Sequence, residues 1–99
     1  MRKAVSFHPE AQDEFVDAEL YYSLVSSGLD LEFRREILAA IEKVCDLPTA
    51  FPKYLSQTRK CLVDRFPYLI VYKEIGERIF VFAIAHTSRL PGYWRHRLN

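Results

Sequence analysis

Apolar residues recur at steps of three and four in the first half of the chain and at steps of two in the second. Ala11, Phe15, Ala18, Tyr22 and Val25 alternate four- and three-residue steps, and Phe33, Ile37, Ala40, Val44 and Leu47 repeat the pattern. Each set lines one face of a helix. His8-Pro9 opens the first helix: the missing proline N–H costs nothing in a first turn, and Glu10, Asp13 and Glu14 then meet the positive end of the helix dipole. Ser26-Ser27-Gly28 ends it, Asp30 is placed to cap the second helix, and Leu47-Pro48 stops that one. So short a turn makes the pair an antiparallel hairpin.

After the loop from Pro48 to Thr58, three strands follow, Arg59 to Asp64, Tyr68 to Glu74 and Arg78 to His86, with turns at Phe66-Pro67 and Ile75-Gly76. Lys3 to Phe7 supplies a short strand ahead of the helices. The predicted order is β-α-α-β-β-β, an α+β fold with the helix hairpin packed on one face of a small, mainly antiparallel sheet. Both alternate sets of the last strand are apolar, Ile79, Val81 and Ala83 on one side, Phe80, Phe82 and Ile84 on the other, so both faces need cover. The hairpin covers one; the C-terminal tail or a partner is left for the other. Phe15, Tyr22, Phe33, Ile37, Ile70, Val81 and Phe82 form the expected core.

At 99 residues the chain is one domain, 1–99, and 49% apolar with 27% charged residues describes a folded chain rather than a disordered one. The start lacks the apolar run of a signal peptide and no window reaches membrane-spanning length, so a cytoplasmic protein is expected. Cys45 and Cys61 show no metal-ligand spacing and read as small, reduced apolar residues. No metal, disulfide or cofactor is expected. Glu10, Glu14 and Asp17 read as a solvated helix face, and the three glycines form no phosphate loop.

The net charge of +1 conceals a division. Residues 1–50 carry five basic against ten acidic side chains, a balance of −5; residues 51–99 carry nine against three, a balance of +6. Such a field steers the C-terminal half toward phosphates or an acidic protein segment, or the acids simply keep a helix pair soluble.

The candidate chemistry lies at the end of the last strand. His86 is either a general acid or a polar strand terminus whose ring packs, on the face assigned to Phe80, Phe82 and Ile84. Arg89 and Tyr93 follow in a loop at the same edge, and Arg59 and Arg65, near the ends of the first meander strand, are placed to converge on one groove with them. Metal-free RNA cleavage by 2′-OH attack needs a base, cationic stabilisation of the phosphorane and an acid, and these five residues can supply all three. Trp94, after the turn at Pro91-Gly92, reads as a lid folded over the exposed sheet face.

The stretch RFPYLIVYKEIGERIFVFAIAHTSRLPGYWRHR, Arg65 to Arg97, resembles the C-terminal half of the RelE/ParE family of toxins from type II toxin–antitoxin, or plasmid-stabilisation, systems. The upstream order of elements agrees. The resemblance implies a growth-inhibiting toxin whose basic groove is blocked by a cognate antitoxin, with homo- or hetero-oligomers in prospect. Its two branches imply different targets: messenger RNA on the ribosome, cleaved without metal, or DNA gyrase, inhibited without catalysis. The nuclease branch implies a denser set of lysines and arginines on the central strands than Lys53, Lys60 and Lys73 provide, while His86-Thr87-Ser88-Arg89 resembles the strand-end His and Arg of the gyrase-poisoning branch. A non-toxic RNA- or protein-binding module of the same fold is the alternative.

Overall fold

The computed structural model describes residues 2–99. Strand β1 (Ala4–Phe7) leads into α1 (Pro9–Val25) and α2 (Leu29–Asp46), then β2 (Arg59–Leu62), β3 (Tyr68–Ile75) and β4 (Arg78–His86); short 3₁₀ turns occupy Leu55–Gln57 and Arg95–Leu98. The strands form one sheet in the order β1-β4-β3-β2, with β1 parallel to β4 and the other pairs antiparallel. The α+β arrangement and element order read from the sequence are those of the molecule. Among the described residues no helix is long and apolar enough to cross a membrane.

Local sequence explains the helix ends, with one correction. His8 caps α1 by accepting the Glu10 N–H on Nδ1 at 3.1 Å, and Pro9 is the first helical residue. Asp30 does not cap α2. The cap position is Gly28 at φ 84°, a left-handed conformation that glycine adopts without strain, and Asp30 sits in the first turn opposite the helix dipole.

The helices bury Ala11, Phe15, Ala18, Phe33, Ile37, Ala40, Ile41, Val44 and Cys45 against Cys61, Ile70, Tyr72, Ile79, Val81 and Ile84 of the sheet. Phe33 stands at the centre, its ring within 6.0 Å of Phe15 and about 5 Å from Tyr22, Phe66 and Tyr68. Tyr22 is half-buried at the rim. Val25 and Leu47, which continue the apolar spacing, are exposed at 54% and 65%: Tyr22 is the last residue of α1 against the core, and Leu47 lies past the end of α2.

The two faces of β4 differ from the simple alternation. Val71 faces Ala83 but Tyr72 faces Val81, so Phe82 is an extra residue, a β-bulge. The phase of β4 flips there. Ile79, Val81 and Ile84 face the helices, whereas Ala83 and Ala85 lie on the opposite face with Val71 and Trp94. Phe82 is therefore not a core residue; it is half-buried, 6.5 Å from the His8 ring, and belongs to neither packed cluster.

Trp94 closes the second face. It is 1% exposed, over Val71, Ala83 and Ala85, with Tyr54, Leu55, Leu69 and Leu98 around it. The small side chains at 83 and 85 make room for the indole, whose burial contributes on the order of 4 kcal/mol at ~25 cal/mol per Å². A type II turn brings it there: Tyr93 N–H donates to Leu90 O at 3.2 Å, with Pro91 and Gly92 (φ 85°) in the middle positions. The tail, not a partner, covers this face. Uncovered apolar side chains lie instead on the outside of the hairpin, where Val16, Leu20 and Leu24 are 52%, 61% and 80% exposed at four-residue steps.

Candidate functional site

Where α1, the end of β4 and the tail meet, a concavity of about 240 Å³ opens. Glu14, Asp17, Ala18 and Tyr21 of α1, Tyr68 of β3, Ile84 and His86 of β4, and Arg89 and Tyr93 of the tail line it. The bulge puts His86 here. Because it shifts the phase of β4, His86 shares the face of Ile84 on the helix side.

His86 is held on two sides. Its Nδ1 accepts the Ser88 N–H at 3.0 Å and faces the Ser88 hydroxyl at 2.8 Å, and its ring meets Tyr68 edge to face at 5.2 Å. A backbone N–H can only donate, so the neutral imidazole keeps its proton on Nε2. That arrangement presents a donor to a ligand rather than a base. The same loop is fixed by Arg89 N–H donating to His86 O at 3.0 Å and Thr87 N–H to Pro67 O at 2.8 Å.

Arg89 lies over the Tyr93 ring, its guanidinium carbon 3.8 Å from the ring centroid, and among the described residues its side chain makes no ion pair. Tyr93 supports it from below. The Tyr93 hydroxyl donates to Glu14 Oε2 at 2.5 Å, and burial, then Glu14 as acceptor and charge, pushes its pKa well up. A phenol whose proton is committed to a carboxylate, with its ionisation so disfavoured, is a poor acid for a leaving group.

Glu14 organises this corner. Arg97 donates to it through Nη1 at 2.8 Å and Nη2 at 3.1 Å, and Ile84 N–H donates at 3.0 Å. Arg97 Nη1 also donates to Phe82 O at 3.0 Å. The carbonyl at the bulge and an amide just past it thus gain partners from an ion pair whose side chains are 6% (Arg97) and 17% (Glu14) exposed. Glu14 is no solvated-face residue. Farther out, His96 Nε2 contacts Glu10 at 2.9 Å, and that hydrogen bond leads the effects holding the Glu10 carboxyl below its ordinary range.

His86, Arg89 and Tyr93 are brought together; Arg59 and Arg65 are not. Arg65, at φ 69°, pairs with Glu32 at 2.5 Å and Glu36 at 3.6 Å on α2. Arg59 donates to Phe51 O at 2.7 Å, bracing the preceding loop, and it faces Tyr72 across β3 whereas His86 faces Tyr68. Four residues of strand separate those positions, about 13 Å. Arg65 and Arg97 return to acids of the helical half, so the charge division partly closes within the fold. The concavity carries both signs, with Arg89 opposed by Asp17 at the rim.

Sequence reasoning missed Glu14 and Arg97 as partners. A signal existed for the first: Glu14 lies three residues after Ala11 and four before Ala18, at the border of the buried stripe. Nothing local marks Arg97 as its counterpart.

The family model described as the ParE toxin of the type II toxin–antitoxin system, parDE, matches residues 5–91. No curated protein matches the chain significantly. Among solved structures, a chain described as the chromosomal ParDE toxin–antitoxin system from P. aeruginosa is similar over 88% of this chain and 98% of that one, with a TM-score of 0.72 and 14% identity. At that identity the likeness concerns the fold.

Proposed function

Because the chain belongs to the ParE toxin family of type II toxin–antitoxin systems, we propose that it arrests growth by binding a protein target, DNA gyrase, without catalysis, and that a cognate antitoxin neutralises it. The observation that carries the non-enzymatic reading is the Tyr93 hydroxyl donating to Glu14. Of the three functions RNA cleavage needs, the tyrosine acid is tied up, the imidazole has its Nδ1 lone pair taken by the Ser88 N–H and so offers neither a free base nor the second ring proton of an acid, and of the three arginines Arg89 alone stays at the concavity while Arg59 and Arg65 are spent on carbonyls and carboxylates elsewhere. What remains at the concavity is a contact surface: an exposed guanidinium over an aromatic ring and an imidazole N–H beside it. Such groups suit a protein acceptor, and the acids at the rim oppose a phosphate backbone.

An antitoxin partner is supported by the likeness to a chain of the P. aeruginosa ParDE toxin–antitoxin system and by the exposed apolar stripe on α1, the kind of surface a soluble protein covers with a partner. Purified protein added to gyrase should block DNA supercoiling, and messenger RNA in a translating extract should stay intact. Cleaved message with unimpaired supercoiling would replace this reading with the endonuclease one. Normal growth on induction would favour a non-toxic binding module.

A further inference from the structure

Trp94 covers the second face of the sheet over Val71, Ala83 and Ala85, and the rows nearer the β3–β4 turn lie beyond it. Phe80 stands there. Ile79 and Val81 on either side of it are buried against the helices, so its ring emerges on the opposite face, half-buried and in neither packed cluster. A cation flanks it on each side. Across β3 its partner is Lys73, which shares the outer face because Tyr72 beside it is buried on the helix side. Across β1 its partner is Ser6, whose hydroxyl accepts from the Arg78 guanidinium, Nε at 3.1 Å and Nη2 at 2.7 Å. Neither cation meets an acid among the described residues: Glu74, on the helix face, and Glu77, in the turn, go to Lys3 at 3.2 and 3.9 Å. Of the nine basic side chains in residues 51–99, Arg65 and Arg97 alone reach a carboxylate among the described residues.

We propose that this end of the outer sheet face binds single-stranded nucleic acid, one base stacking on the Phe80 ring and the adjoining phosphates meeting Lys73 and Arg78. A ring bracketed by unpaired cations on a sheet surface answers both parts of a nucleotide, a π-face and an anion, and such a stack accepts any base. An acidic protein segment would use the cations and leave the ring idle. A duplex, whose bases already stack on one another, would do the same. The cationic path continues at Lys60, which faces Val71 one row farther along and keeps its charge over the Tyr54 ring at 4.6 Å. The site lies on the opposite face of the sheet from His86 and does not depend on the protein target proposed above.

The test is the fluorescence anisotropy of labelled oligomers of about ten nucleotides, oligodeoxythymidine and oligouridine, titrated with the full chain at low salt. Phe80→Leu, which keeps an apolar side chain, should bind about five- to hundredfold more weakly, as expected for one lost stack, while Phe80→Tyr stays close to the parent. Lys73→Gln and Arg78→Gln should each flatten the slope of log affinity against log salt by about 0.7, the value for one phosphate contact on a single strand. Binding of either oligomer supports the proposal, and the difference between them shows which sugar the site prefers. No binding at low salt, undiminished affinity of a folded Phe80→Leu protein, or competition by duplex DNA or polyglutamate as effective as by unlabelled single strand would overturn it. If Phe80→Leu unfolds, the ring protons of the parent decide: those of Phe80 should move upfield as oligomer is added while those of buried Phe33 hold, and unmoved Phe80 signals overturn the proposal. Supercoiling plays no part in the titration, so its failure and a failure of the gyrase reading are separate results.

Discussion

Glu14 and Arg97, 83 residues apart in the chain, form a two-pronged ion pair at 2.8 and 3.1 Å that ties the C-terminal tail to the first helix and takes up the Phe82 carbonyl and the Ile84 amide beside the bulge. Breaking it strands a mostly buried carboxylate. Arg97→Ala should therefore cost about 3–5 kcal/mol in chemical denaturation. Arg97→Lys should recover little, since a single ammonium cannot span both carboxylate oxygens. A loss below about 1 kcal/mol, the scale of an exposed pair, would mean that Trp94 and the other tail contacts hold the tail without this ion pair.

The core places phenylalanines in unequal positions. Phe33 is fully buried among four aromatic rings, so Phe33→Ala should cost about 3–5 kcal/mol, a large part of the stability of so small a domain. Phe82→Ala, at a half-buried bulge, should cost no more than about half as much. Equal losses in paired denaturation curves would contradict the phase shift in β4.

At the concavity, Arg89→Ala should abolish growth inhibition and leave the melting temperature unchanged, because the exposed guanidinium stacks over Tyr93 and makes no ion pair among the described residues. Tyr93→Phe should keep gyrase inhibition, since the ring that carries Arg89 remains; Tyr93→Ala should lose it. A Tyr93→Phe protein that folds and inhibits nothing would assign the hydroxyl a chemical role.

Alkaline pH should loosen the fold in a defined window. Burial pushes Tyr68 and Tyr72 up to about 12, and Tyr93 is raised as well. Each binds its proton more tightly in the folded chain, so the stability they contribute is whole below about pH 10, the ordinary tyrosine value, and is lost as pH rises from there through about 12. Denaturation midpoints should fall across that range. Phenolate absorbance should show these tyrosines ionising late, and Tyr93→Phe should flatten part of the decline. A flat profile between pH 9 and 12 would show that they are not held as neutral phenols.

The sequence by itself determined the helices, the strands, their order and most of the buried helix faces, because those depend on spacing within a turn or a strand and on Pro9, Gly28 and Pro48 at the breaks. It also brought His86, Arg89 and Tyr93 near one another, since eight residues of chain hold them to one end of the sheet. Tertiary structure decided which face of β4 each residue takes. One extra residue at Phe82 inverts every side chain after it, and alternating apolar residues read equally well in either phase. The bulge is accommodated by Glu14 and Arg97, which share no local pattern and meet only when the tail folds across the sheet edge. The same closure buries Trp94, while pairing with α2 and with loop carbonyls draws Arg65 and Arg59 away from the groove that composition alone would have given them. Periodicity is a short-range property; the partners of a buried charge and the phase of a strand are set by whatever the rest of the chain places against them.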